Sequence, residues 1–517
     1  MTNPSRPIRS DSNSLEFIIV CLIGFLIYSN VLNGEFISDD FVMVADNLAV
    51  RDIHNWQAVW QAFHTRFMVG ITFALNYWLS GYDVFGYHLV NIGIHIVNAL
   101  LVGAWARYLF LTPILSSAHR AWPVRRIAFF ASLVFLTHPI QTEGVSFITQ
   151  RAASLAAMFY LLTILAYLKA RLEHKSYYLS WGVLAMIFGL LTKEFTVTLP
   201  AALLIHEFFF FDGKNESLIR RARRLIPFFV LALLLPLLLM SDQSSRLGLR
   251  SQLVSGYFDW NYLFTEINVL RTYLRMLVWP FPQIFDYDYP VARGLFDWST
   301  IFSIGLIAAV IMYGIQSFKK YRLRSFVIGW FFITIFIEFI HPCFVHRSVI
   351  YEHWLYLPMV GFAILLPTLL YDVFKNEKIW AWVMVLLIAF YAGATYKRNF
   401  VWQNELTFLQ ENLIHTPNNA NVYYAVGIAY DRKNCPGQAV PYYLKAIAVN
   451  PKHLFAMNNL AIDYTQLERK DLAVQYFERA MKVDPEYKVT YDNLAFLYRM
   501  YGDEKQAQEV LKRRNDQ

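Results

Sequence analysis

Eleven mostly apolar stretches, each near the length that crosses a bilayer, punctuate the first 397 residues of this 517-residue chain. They lie at 16–33, 86–111, 127–141, 152–170, 177–192, 195–211, 225–240, 301–316, 325–341, 354–371 and 379–396. About 20 apolar residues in a helix match the hydrocarbon thickness. In lipid the backbone must satisfy its own hydrogen bonds, so runs repeated this often leave a polytopic helical bundle as the expected fold. Composition agrees: 16% of residues are charged, against about 25% in a soluble domain. The run from Leu15 to Leu32 is too long and too aromatic for a signal-peptide core, and no small-residue cleavage site follows it. It reads as a retained first helix. A further segment, 262–282, is interrupted by Arg271 and Arg275 and ends in Pro280 and Pro282. It reads as interfacial or re-entrant.

The net charge of +8 does not mark a nucleic-acid surface. Its cations sit in short loops, as at Arg220, Arg221, Arg223 and Arg224, or Lys319, Lys320, Arg322 and Arg324, where they report topology. Eleven crossings put every basic loop on one side if 262–282 does not cross. The N-terminus is then inside. Residues 34–85, 139–150, 193–194, 241–300, 341–353 and everything after about 397 lie outside. Three cysteines, Cys21, Cys343 and Cys435, offer neither a disulfide framework nor a metal-ligand spacing.

The last 120 residues, 398–517, change character. Pro417, Pro451 and Pro485 recur every 34 residues, the tetratricopeptide period. Between them the same residue types return in register: Tyr423, Gly427, Tyr430, Ala439, Tyr443 and Ala446; then Leu460, Ala461, Tyr464, Ala473, Phe477 and Ala480; then Tyr491, Leu494, Ala495, Tyr498, Ala507 and Leu511. Three repeats are expected near 420–453, 454–487 and 488–517, closed by a polar helix with Lys512, Arg513 and Arg514.

Polar residues next to membrane spans are costly unless used. The first outer loop opens with Asp39-Asp40, where one carboxylate can serve as a base tuned by the other or the pair can cap a short helix. Three more clusters follow on the same side. One is His138-Pro139-Ile140-Gln141-Thr142-Glu143 with Arg151. The next is Thr192-Lys193-Glu194. The last runs from His341 through His346-Arg347 to Glu352-His353. Arg151, Lys193, Arg347 and His346 suit a phosphate or diphosphate group. A phosphate-cradling glycine loop, a serine elbow and a zinc pattern are missing from these loops.

In order along the chain, Asp39-Asp40, GlyTyrHisLeuValAsn at 86–91 with His95, HisProIleGlnThrGluGly at 138–144 with Arg151, LeuThrLysGlu at 191–194 and GluHisTrpLeuTyrLeuPro at 352–358 resemble the transmembrane-and-tetratricopeptide-repeat (TMTC) O-mannosyltransferases. They resemble more distantly the dolichyl-phosphate-mannose protein mannosyltransferases. The resemblance implies a GT-C-type membrane domain over 1–397 and a metal-independent, cofactor-free, inverting transfer of a monosaccharide from a polyprenyl-phosphate carrier to a hydroxyl. It implies Asp39 as general base with Asp40 orienting it. Arg151, Lys193, Arg347 and His346 would cover the donor phosphate, and His138, Glu143, Glu194, Glu352 and His353 would shape the pocket. The compact form points to a bacterial inner membrane with site and repeats on the periplasmic face, or to the lumenal face of the endoplasmic reticulum in a eukaryote.

Three functions fit. The first is O-glycosylation of protein, with the repeats recruiting acceptor or partner polypeptide. The second is the same chemistry on a lipid or envelope glycan. The third is a non-catalytic membrane scaffold, for which Asp39→Asn changes nothing.

Overall fold

The computed structural model describes residues 14–119, 121–211, 216–241, 257–346 and 349–515. Every regular element among them is helical. Two compact units emerge. One comprises residues 1–283 and 289–403; the other comprises 284–288 and 404–517.

All eleven apolar runs of the first unit are helical. Among the described residues seven helices are long and apolar enough to cross a membrane: Ser14–Val31, Val84–Phe110, Ile148–Glu173, Ile219–Leu239, Trp298–Ser317, Arg322–Val345 and Glu377–Gln403. The four others, Val124–Thr137, Tyr177–Leu190, Leu199–Phe210 and Pro358–Phe374, have 14, 14, 12 and 17 residues. At about 1.5 Å per residue, a 14-residue helix rises only about 21 Å, short of the roughly 30 Å hydrocarbon core. The shortfall has a visible cause. At one end the α-helices give way to 3-10 turns at Pro139–Gln141, Glu194–Thr198 and Glu352–Leu355, which are the polar motifs themselves. Non-helical backbone next to lipid is tolerated where protein surrounds it, and these turns are largely buried. The expected interfacial segment is a helix, Trp260–Val278. It is not among the seven long apolar ones.

Helix Ile148–Glu173 is the hub of this unit: 72% of its most apolar window is buried, against 17% for Trp298–Ser317. An aromatic core stands beside it. Trp105 and Trp330 have centroids 4.7 Å apart, and the Trp105 indole donates to His206 Nε2 across 3.0 Å.

The second unit is a stack of helix pairs: Ala420–Arg432 with Pro436–Val449, Leu454–Gln466 with Lys470–Val483, and Lys488–Met500 with Glu504–Asn515. The small positions Ala439, Ala446, Ala461, Ala473, Ala480, Ala495 and Ala507 are buried where helices meet, and Tyr443, Phe477 and Tyr491 fill between them. Residues 284–288 fold with this stack. The Asn412 carboxamide oxygen accepts from the Phe285 and Asp286 N–H groups at 2.8 and 3.2 Å. Phe285 packs edge-on against Phe408.

Candidate active site

The loop after the first span is held by its own backbone. Gly34 sits where a Cβ would come within 3.0 Å of the Trp402 and Val31 carbonyls, so no larger residue passes there without a shift. Ser38 adopts φ 49°, a left-handed conformation that is uncommon without glycine. The turn this makes separates the two acids that follow. Asp40 turns inward and is 1% exposed. Its Oδ2 accepts from the Ile37 N–H at 3.1 Å and its Oδ1 from the Thr149 N–H at 2.8 Å. Burial pushes its carboxyl up to about 7 against the pull of those two N–H groups. Asp39 remains exposed. Burial of its surroundings raises its pKa, and the charge of Arg66 opposes the rise.

Arg66 was not anticipated from the sequence. It ends the 3-10 turn His64–Arg66 in the segment between the first two long spans. Its Nε and Nη2 reach the two oxygens of Glu194 at 3.2 and 3.3 Å, the bidentate fork that guanidinium geometry favours. The pairing is seconded by the backbone, where the Met68 N–H donates to the Leu191 carbonyl at 3.0 Å. Both side chains are more than a third exposed, so this fork is open to exchange. Glu194 first, then Glu338 and Asp39, raise the Arg66 pKa against burial; the guanidinium is the electrostatic hinge of the cluster.

Lys193, next to Glu194, points the other way. It is buried and its Nζ lies 3.3 Å from Glu338 Oε1. Glu338, an acid inside the span Arg322–Val345, was also unanticipated. The signal was available, since an ionisable residue in a membrane span is functional until shown otherwise.

Glu143 and His353 form the third part. Glu143 Oε1 lies 2.7 Å from His353 Nδ1, and its Oε2 accepts from the His353 backbone N–H at 2.9 Å. Both are largely buried. Burial raises the Glu143 pKa, opposed by the N–H groups of His353 and Glu352 and by Lys193 and Arg398. Burial also lowers His353, and Lys193 adds to that. Glu352 Oε2 accepts from the Gln283 carboxamide at 2.8 Å, which also donates to the Pro139 carbonyl at 2.9 Å. Gln283 joins the two motifs and was missed, since nothing in its local sequence marks it. The motifs also meet at Gly144, where a Cβ would lie 2.6 Å from the Tyr356 ring. The Tyr356 hydroxyl is in turn held by His95 Nδ1 at 2.7 Å and Asn98 at 3.0 Å.

Two expected phosphate ligands stand elsewhere. Arg151 is fully buried and spent on the fold. Its Nε donates to Asn91 Oδ1 at 2.7 Å, Nη2 to the Tyr87 carbonyl at 3.0 Å, and Nη1 to the Thr72 carbonyl at 3.2 Å, with its guanidinium over the Phe73 ring. These donors clamp helices together. His346 packs against the Tyr257 and Tyr262 rings, with Nε2 3.2 Å from the Cys343 carbonyl. Among the described residues its contacts are aromatic and backbone, and none is to the charged cluster. Arg347 lies outside the described residues. His138, fully buried, caps the turn that follows it by accepting from the Ile140 N–H at 3.3 Å.

Between helices Trp260–Val278, Trp298–Ser317 and Arg322–Ile340 lies a cavity of about 420 Å³, lined only by apolar side chains including Ile267, Leu270, Ile304, Ile311, Phe336 and Phe339. Its last lining residue, Phe339, is next in sequence to Glu338.

Comparison with known proteins adds relatives. The tetratricopeptide-repeat family model matches residues 420–453 and 456–487. A protein O-mannosyl-transferase of Caenorhabditis elegans, F38B6.6, is 25% identical over 458 residues, covering 85% of this chain and 63% of its own length. The human protein O-mannosyl-transferase TMTC3 is 25% identical over 522 residues, covering 88% of this chain and 54% of its own. This chain therefore spans between about half and two-thirds of the length of these relatives. Among solved structures, the apo oligosaccharyltransferase of Archaeoglobus fulgidus matches with a TM-score of 0.43 and 14% identity, over 74% of this chain and 55% of that one.

Proposed function

Starting from homologues that are protein O-mannosyl-transferases, we propose that this chain is a membrane glycosyltransferase. It moves a monosaccharide from a polyprenyl-phosphate carrier to a hydroxyl of a protein, with inversion, on the outer face of the membrane. The observation that carries the reading is the inequality of the acid pair. Asp40 is committed to two backbone N–H groups, while Asp39 is exposed, unpaired among the described residues and within the field of Arg66.

Asp39 takes the acceptor proton as negative charge develops on the attacking oxygen. Arg66, more than a third exposed, exchanges Glu194 for the donor phosphate. Lys193, with Arg347 as the sequence suggests, adds positive charge to the departing phosphate. Glu143, Glu352, His353 and His138 wall the pocket. The apolar cavity takes isoprenoid carbons, whose transfer from water is worth about 0.8 kcal/mol per methylene. The repeats present a partner or acceptor polypeptide. Polypeptide is favoured over lipid or glycan as acceptor by the relatives' names, which specify protein.

The test is mass spectrometry of extracytoplasmic glycoproteins and glycolipids in a deletion strain complemented by wild type or Asp39→Asn. Hexosylated peptides that return with wild type and not with the variant support the reading. Changes confined to glycolipids move the acceptor away from protein. Equal rescue by both proteins supports a scaffold.

A further inference from the structure

The Glu143–His353 pair has the geometry of an oriented acid–base dyad, not merely of a wall. Glu143 holds both the Nδ1 and the backbone N–H of His353, which fixes the imidazole in one orientation. The Tyr351 ring, 5.3 Å away and tilted 35°, backs it. Nε2 takes no hydrogen bond from the described residues. His353 is 8% exposed, and the one nitrogen the dyad leaves unused has no partner among the described residues.

The charges around it come from four other elements. Lys193 stands on the turn after Leu190, Glu338 on the span Arg322–Val345 and Arg66 between the first two long spans, and each acts on His353. Arg398, on the last span, acts on Glu143. Burial first, then Lys193 and Arg66 against Glu338, disfavour a charged ring. An incoming phosphate reverses that balance.

We infer that His353, oriented by Glu143, is the general acid that protonates the departing phosphate. This rests on the transferase reading above. In the step, the acceptor oxygen forms a bond to the sugar's anomeric carbon as the bond from that carbon to the phosphate oxygen breaks. The acceptor proton goes to Asp39. The proton on His353 Nε2 goes to the phosphate oxygen, which leaves as a protonated monoester, and the imidazole becomes neutral. Water then returns a proton to His353 and removes one from Asp39, and the cycle closes. His353 is the catalytic residue here, and Glu143 is a positioning residue.

The experiment uses the full chain in lipid nanodiscs with a threonine-rich peptide and two synthetic donors. One is mannose on citronellyl phosphate. The other is mannose on nitrophenyl phosphate, whose leaving oxygen is less basic and needs a proton less. Wild type, His353→Gln, Glu143→Gln and, as a control away from both the dyad and the repeats, Lys378→Ala are compared across pH. The expected result is a loss of about 10²-fold or more on the alkyl donor in His353→Gln. The loss shrinks several-fold on the nitrophenyl donor, and the alkaline limb of the wild-type profile is absent. Each variant is its own reference between donors, so a smaller folded fraction cancels. Equal losses on both donors with an unchanged alkaline limb would overturn the acid role while leaving the transferase reading intact. A wild type inert on both donors would overturn the transferase reading, and the acid role with it.

Discussion

Asp40 Oδ1 accepts the Thr149 N–H across 2.8 Å, joining the loop after the first span to the turn that opens the hub helix. The adjacent acid is thereby placed without being used. Asp39→Asn is expected to cut turnover by about 10²–10⁴-fold with little change in melting temperature. Asp40→Asn is expected to do the reverse in part. A carboxamide supplies one acceptor for two buried N–H groups, at a cost of about 1–3 kcal/mol. Thermal unfolding in detergent, set beside turnover of the same preparations, separates the two acids.

Arg66 lowers the pKa of Asp39 while burial raises it. Removing the guanidinium leaves burial unopposed, so Asp39 holds its proton to higher pH. Arg66→Ala should move the acid limb of the rate–pH profile upward, as well as raise the donor KM. Arg66→Lys should restore the limb and not the KM, since an ammonium supplies charge without the fork. A profile unmoved by Arg66→Ala would place the guanidinium outside the field of the base.

If Arg66 and Lys193 supply the positive charge at the phosphate, as proposed, turnover is expected to survive exhaustive treatment with a divalent-metal chelator. Loss of turnover on chelation, restored by a divalent cation, would require a metal-assisted step.

In the repeats, burial and the neighbouring Asp431 push Asp463 up to about 8. An unfolded aspartate titrates near about 4. The folded unit therefore binds the extra proton between those values, and its stability is full in acid and falls as pH rises through that window. Amide exchange in helices Ala420–Arg432 and Leu454–Gln466 should quicken relative to the membrane unit from pH 5 to 9, after correction for intrinsic exchange. Asp463→Asn should remove the difference.

Gly144→Ala places a methyl 2.6 Å from the Tyr356 ring. That ring is locked by His95 and Asn98 and has little room to yield. The expected cost is about 1–3 kcal/mol, read as lowered melting temperature, with turnover lost alongside because Glu143 is the adjacent residue.

Periodic features were legible in the sequence because they are local. The apolar runs are helices, and the 34-residue spacing of Pro417, Pro451 and Pro485 is a repeat stack. Which cation is free to act was not legible. Arg151 is taken by Asn91, Thr72 and Tyr87, partners 60 or more residues away, and no local pattern announces that. Arg66, in an unremarkable His-Thr-Arg, matters because of a glutamate 128 residues later. The length of the four short helices was also misjudged, because runs such as 127–141 extend past the point where the α-helix stops at Thr137.

The five residues 284–288 depend on Asn412 and Phe408 for their hydrogen bonds and packing. Deleting the tail would therefore do more than remove a recruiting surface. It would strand a strip of chain lying a single residue past Gln283, which braces Glu352. A truncated chain that loses turnover thus tells two stories at once. Substitutions confined to exposed positions of the repeats, such as Phe455 or Phe496, ask about recruitment alone.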